Sequence, residues 1–149
     1  MLTKADFESD LHQAMRAKDD LRKRTLRMVL SALKLAEVEK GEPLDEPELL
    51  RILQKEVKSR QETIEEAEKA GREDIIAASQ EEIELLESYL PEPLTEAELT
   101  DMVQSTIEEI GAKDPGDMGA VMKALMPQIQ GRADGKTASE LVRNALQQK

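Results

Sequence analysis

The sequence has no cysteine and no tryptophan, and its 149 residues include one histidine, one phenylalanine and one tyrosine. Without cysteine there is no disulfide frame, no thiol nucleophile and no thiolate metal site. His12 is the sole histidine, which excludes a multi-histidine metal centre and any Ser-His-Asp triad built on another imidazole. Phe7 and Tyr89 are the only large aromatics. The core must therefore come from Leu, Ile, Val, Met and Ala, a set that suits helix packing better than strands. No apolar run approaches the length needed to cross a bilayer, and Met1-Leu2-Thr3-Lys4-Ala5-Asp6 lacks the core of a secretion signal. The expectation is a cytoplasmic protein with no membrane association, no metal and no other cofactor.

Charge is what the chain has in quantity. Asp, Glu, Lys and Arg make up 36% of it, with 32 acids against 21 bases and a net charge of -11. The pattern along the chain is helix after helix, with no period-two alternation long enough for a strand. Thr3 can cap a first segment running to about Ala17, with Phe7, Leu11, Ala14 and Met15 on one side. A second segment spans about Asp20 to Lys40, striped by Leu26, Val29, Leu30 and Leu33 and ended by Gly41. Asp45 caps a third, with Pro47 in its first turn and Leu49, Ile52, Leu53, Val57 and Ile64 as its stripe; Gly71 ends it. A fourth begins at Glu73-Asp74 and continues to about Leu90. Pro91-Glu92-Pro93-Leu94 then removes two amide donors within three residues and marks a boundary.

Beyond that boundary Thr95 and Glu98 form a capping box ahead of a stripe of Leu99, Met102, Val103, Ile107 and Ile110. A short helix from about Met118 to Met126 is expected to stop at Pro127, and Asp134 is placed to cap the last one. The fold class is thus all-α: a bundle of about four helices over 1–90, a Pro-containing linker over 91–94, and a three-helix tail domain over 95–149.

Acidic pairs are too common here to single out a site. Glu62 and Glu66, or Glu84 and Glu87, share a helix face, but exposed faces ordinarily carry such charges. His12 lies beside the apolar stripe of the first segment with no orienting partner legible, so no catalytic residue and no metal ligand is assigned. Positive charge says more. Between Arg16 and Lys40 eight bases face four acids. In the third segment Arg51, Lys55 and Lys58 share a side, while Arg60 lies further round. Phosphates can be held by a local basic surface on an acidic protein, because salt screens distant charge beyond roughly 8–10 Å. The bland alternative is that these bases pair with Glu39, Glu56 and Glu62 on a solvated surface. In the segment from Lys113 to Lys136, Gly116, Gly119, Gly131 and Gly135 punctuate short helices. Asp117 and Asp134 at the helix starts would occupy the very amides an anion needs.

Several stretches together resemble the GatB/YqeY family. They are Leu26-Arg27-Met28-Val29-Leu30-Ser31-Ala32-Leu33-Lys34, Gln54-Lys55-Glu56-Val57-Lys58-Ser59-Arg60, Ala70-Gly71-Arg72-Glu73-Asp74, Tyr89-Leu90-Pro91-Glu92-Pro93-Leu94-Thr95-Glu96-Ala97-Glu98-Leu99, Asp117-Met118-Gly119-Ala120-Val121-Met122 and Gly131-Arg132-Ala133-Asp134-Gly135-Lys136. In that order they cover nearly the whole chain, and they look like the stand-alone YqeY-like members. The resemblance implies an all-helical protein similar to the carboxyl end of the B subunit of glutamine-dependent tRNA amidotransferase. It also implies association with carbon–nitrogen ligase chemistry that uses glutamine as amido donor. The chain itself has no thioester cysteine, no Ser-Ser-Lys amidase segment and no phosphate-cradling loop.

The reading that follows is a helical module that binds tRNA or docks on an amidotransferase or aminoacyl-tRNA synthetase complex. Its expected phosphate and sugar contacts are Arg22, Lys23, Arg27, Lys34, Lys55, Lys58 and Arg60, with Arg132 and Lys136 from the tail. It requires the bases of the second and third segments to converge in one exposed cluster. The alternative is a protein–protein adaptor without nucleic-acid contact, in which the Met-rich tail helix packs on a partner.

Overall fold

The computed structural model describes residues 1–148. Within them the chain forms seven α-helices and no strand: α1 (Lys4–Arg16), α2 (Asp20–Lys40), α3 (Glu46–Ala70), α4 (Glu73–Glu87), α5 (Glu96–Ile110), α6 (Met118–Ile129) and α7 (Gly135–Gln147). A single 3₁₀ turn, Pro115–Asp117, precedes α6. None of the helices is long and apolar enough to cross a membrane.

The helix ends follow capping chemistry. The Asp19 side chain accepts the Arg22 amide at the start of α2. At the start of α3, Asp45 and Glu48 bond each other's amides at 2.9 Å. Gly41 and Gly71 close α2 and α3 in the left-handed conformation, with φ of 82° and 69°, which a side chain would strain. The turn after α1 has no glycine, and Lys18 takes the positive φ instead, at 56°.

Two expected boundaries move. The fourth helix ends at Glu87 rather than near Leu90. Tyr89 and Leu90 instead make tighter three-residue bonds to the carbonyls of Leu86 and Glu87. Pro91 disfavours helical geometry at the residue before it, which accounts for the early stop. Conversely, α6 runs through Pro127 to Ile129. The proline falls in the last turn, where little of the ladder remains to lose, and the Gln128 side-chain amide bonds the Ala124 carbonyl at 3.1 Å.

The chain divides into two compact units, Met1–Pro91 and the remainder from Glu92. In the first, α1 packs on α2 and α3 on α4, and α2 contacts both helices of the second pair. Phe7, Leu26, Leu33, Leu53 and Leu86 are buried at its centre. Phe7 and Tyr89 stack obliquely, ring centroids 4.6 Å apart. The Tyr89 hydroxyl donates to the Asp10 carboxylate. Burial first, and that carboxylate second, push its proton affinity well above the ordinary tyrosine value.

In the second unit α5, α6 and α7 enclose Leu99, Val103, Ile107, Val121, Leu125, Ile129, Val142 and Leu146. Met102, Met118, Met122 and Met126 pack against this core. The methionines that the adaptor alternative would turn to a partner are partly buried against the tail's own core. The segment expected as a linker is partly held too. Leu94 donates its amide to the Arg132 carbonyl, and Arg132 Nε donates to the Glu92 carbonyl, both at 2.9 Å.

Candidate nucleic-acid interface

The outward side of α3 is set by its own periodicity. Leu49, Leu50, Leu53, Val57 and Arg60 are buried, which turns Arg51, Lys55 and Lys58 to solvent. Among the described residues none of these three takes part in an ion pair. They span about 10 Å along the helix at 1.5 Å per residue. Glu62, Glu65 and Glu66 then follow on the exposed surface. The basic strip therefore occupies only the first half of the helix.

Arg60 is not part of that strip, and its placement among the phosphate contacts is corrected. It is 5% exposed, and every branch of its guanidinium is engaged. Nε donates to Glu82 on α4 at 2.8 Å. One terminal nitrogen holds both the Glu56 carboxylate (2.8 Å) and the Glu56 carbonyl (3.0 Å). The other lies 3.5 Å from the Met28 sulfur on α2. Glu82 also accepts from Arg24 of α2 at 3.3 Å. Arg60 thus ties three helices together. A buried charge with its hydrogen bonds satisfied is tolerated, and moving it out to a phosphate would strand two carboxylates.

The bases of α2 separate as well. Arg22 is half-buried and lies near Tyr89, whose proton affinity its charge lowers slightly. Lys23 pairs with Asp20 at 3.4 Å. Arg27 and Lys34 are exposed and, among the described residues, in no ion pair. They are not continuous with the α3 strip. It is Arg60 that meets α2, and Arg51, Lys55 and Lys58 occupy the opposite side of α3 from Arg60. The expected single cluster is therefore two strips with a buried network between them.

In the tail, Arg132 is half-buried and its Nε is committed to the Glu92 carbonyl. Lys136 is exposed in the first turn of α7. Its amide is taken by Asp134 at 3.3 Å, so a carboxylate already caps that helix. Asp117 likewise accepts the amides of Lys113 and Asp114. Those two bonds hold its carboxyl below the usual aspartate range.

Elsewhere the side chains offer little chemistry. His12 is exposed in an open depression on α1 beside Glu8, Ser9 and Arg16. Among the described residues no three His, Cys, Asp or Glu side chains group as a metal site. Sequence reasoning left out one feature of this surface. Met28, Leu35 and Val38 are exposed on α2 on the side away from its core stripe. Leu35 lies seven residues after Met28 and Val38 three after Leu35, spacings that were legible, but a pattern seeking one apolar face per helix assigns such residues to none.

The comparisons with known proteins extend over nearly all of this architecture. The family model described as Yqey-like protein matches residues 4–146. A protein of Lachancea thermotolerans named "Altered inheritance of mitochondria protein 41, mitochondrial" is 38% identical over 114 residues, covering 74% of this chain and 61% of its own length. The protein of that name from Kluyveromyces lactis is 42% identical over 86 residues, 57% of this chain and 46% of its own. In the Saccharomyces cerevisiae protein the match is 28% over 146 residues, 94% of this chain and 78% of the relative. The chain spans about half the length of several of these curated relatives. A match running from the first turn of α1 to the last turn of α7 leaves one conclusion: the chain belongs to the YqeY-like protein family.

Proposed function

We propose that this protein is a non-catalytic helical module that binds tRNA, serving a tRNA-dependent amidation or aminoacylation complex. The observation that carries the reading is the strip of Arg51, Lys55 and Lys58, exposed and, among the described residues, outside every ion pair, in a chain of net charge -11. Between Arg51 and Lys58 the one acid, Glu56, is held by Arg60, so three exposed bases on one helix face suit an external anion. The likeness of the family's tail to a tRNA-dependent amidotransferase subunit supports RNA as that anion's source. Lys136 is a further contact from the tail. Contacts of this kind fix position and shape without reading sequence.

Binding is expected to be weak and salt-dependent. Three phosphate contacts give a slope of about -2 to -3 in the logarithm of affinity against that of salt. Fluorescence anisotropy with labelled tRNA at low salt measures it. The double variant Lys55→Glu, Lys58→Glu is expected to lose at least about tenfold in affinity. No association at low salt, or unchanged affinity in the double variant, sinks the reading. Glutamine hydrolysis by the purified chain is expected to stay at background.

A second reading, the adaptor without nucleic-acid contact, is favoured by the apolar side chains exposed on α2. Partners that co-purify with the native protein and survive nuclease treatment would decide for it. The expected cytoplasmic location and the mitochondrial location in the relatives' names both suit the tRNA reading, since translation occurs in each.

A further inference from the structure

The outer face of α2 combines two things that a solvated helix surface lacks. The first is exposed apolar area. Leu35 is 61% exposed and Val38 80%, and Met28, its sulfur 3.5 Å from Arg60, is still 50% exposed, although the same helix buries Leu26, Val29, Leu30 and Leu33 on its other side. With the small, exposed Ser31, these residues stand at spacings of three, four and three, the repeat of a two-helix seam. The second is a surplus of positive charge. The exposed bases from Arg24 to Val38 are Arg24, itself paired with Glu82 at 3.3 Å, Arg27 and Lys34; Glu37 is half-buried and held by Lys4 at 2.7 Å, and the one exposed acid beside the stripe is Glu39, just past Val38. Arg27 and Lys34 each immediately precede an apolar position of the seam, Met28 and Leu35. Those are the flanking sites where coiled-coil partners place their opposite charges.

We propose that this face docks one acidic amphipathic helix of a partner protein. The apolar stripe receives the partner's leucine-type side chains, and Arg27 and Lys34 meet glutamates on its edge. From Met28 to Val38 the seam is about 15 Å long, nearly three turns of an α-helix. A single helix covers that strip alone. An RNA has no leucine-type side chains to offer the apolar stripe, and an anionic bilayer extends over a wider area than it. Specificity comes from sign: a basic helix with the same apolar face meets Arg27 and Lys34 unfavourably. This surface is separate from the Arg51–Lys58 strip, so its test is independent of the tRNA reading.

The test uses the full chain, isotope-labelled for NMR, and two synthetic three-heptad helical peptides with the same leucine seam. One peptide carries glutamate at its flanking positions and the other lysine. The glutamate peptide is expected to shift resonances within residues 24–38, and the lysine peptide to bind at least about tenfold more weakly. Leu35→Glu and, separately, the double variant Arg27→Glu, Lys34→Glu are each expected to weaken the glutamate peptide about tenfold or more. These positions are solvent-exposed, so both variants should keep the wild-type circular dichroism; Val38→Glu replaces Leu35→Glu if they do not. Equal binding of both peptides, or no shift with either, overturns the proposal. So does binding to phosphatidylglycerol vesicles with no peptide response. A wild-type dimer in sedimentation that Leu35→Glu dissociates and the glutamate peptide leaves intact assigns the face to a second copy, and also overturns it.

Discussion

The two units of this protein solve helix packing by different means. In the N-terminal unit a charged network runs through the contact of three helices: Arg24 and Arg60 share Glu82, and Arg60 also holds Glu56. Five further ion pairs belong to the same unit. The tail has no ion pair among its described residues, and α5, α6 and α7 close on aliphatic side chains ringed by methionine. The cause is geometric. In the N-terminal unit α2 contacts both α3 and α4, and the Arg60 guanidinium lies at that meeting of three helices. The tail packs three short helices around one centre, where only compact apolar groups fit. Apolar contact is forgiving in direction, whereas a buried guanidinium fixes which carboxylates must face it. The N-terminal unit is therefore the more tightly specified of the two, and the tail the more dependent on area alone.

The largest expected effect comes from attacking the tail's core. Leu125 is fully buried, and Leu125→Ala is expected to cost about 4 kcal/mol, from lost transfer energy and the cavity left behind. A unit of fewer than 60 residues is marginal. Hydrogen exchange should therefore show α5–α7 opening while the buried amides of α2 and α3 stay protected. Uniform loss of protection would mean that the units do not differ in this way.

Next comes the charge network. Arg60→Ala leaves Glu56 and Glu82 without their main partner and is expected to cost about 3 kcal/mol in chemical denaturation. Arg60→Met, which fills the space without the charge, should cost no less while both carboxylates remain. Adding Glu82→Gln to Arg60→Met should recover part of the loss, by removing one of the stranded charges. If the two substitutions are instead additive, Arg60 acts by volume and not through its partners.

The smallest effect sharpens the comparison through pH. The Lys40 ammonium, 2.7 Å away, and the Asp45 amide hold the Glu48 carboxyl below its ordinary value of 4.5. In the tail, backbone amides alone hold Asp117 below its ordinary value of 3.8. Each group binds its proton more weakly folded than unfolded. Its contribution to stability is present above the ordinary value and is lost as pH falls through the folded one. Thermal midpoints of Glu48→Gln should lie below wild type at pH 6 and converge with it as pH drops below 4.5, and added salt should shrink the gap. Asp117→Asn should converge at lower pH, with a gap less sensitive to salt because its partners are not ions. Lys40 has the opposite sense. Its proton affinity is raised, chiefly by Glu48, so its share persists at neutral pH and is lost only above its ordinary value of 10.5.

Much of the candidate strip was legible. Arg51, Lys55 and Lys58 stand three and four apart on the side away from Leu53 and Val57, and that spacing alone turns them outward. Arg60 could also have been read. It lies three residues after Val57 and seven after Leu53, on the buried stripe itself, and so belongs with the core face. What periodicity could not supply was its partner, because Glu82 arrives from a different helix. The α2 face was missed for another reason: Leu35 and Val38 lie off the stripe of Leu26, Val29, Leu30 and Leu33, and a search for one stripe per helix gives them no place.

By itself the sequence determined where the helices begin and, apart from α4 and α6, where they end, because caps, prolines and glycines act through bonds within a few residues of one another. It also determined that the protein is helical throughout, since its apolar residues recur at helical spacing and strand-forming aromatics are nearly absent. Only the tertiary structure decided which bases remain free. That depends on which helices cross and where their carboxylates arrive, and the energy of those meetings comes from residues far apart in the chain.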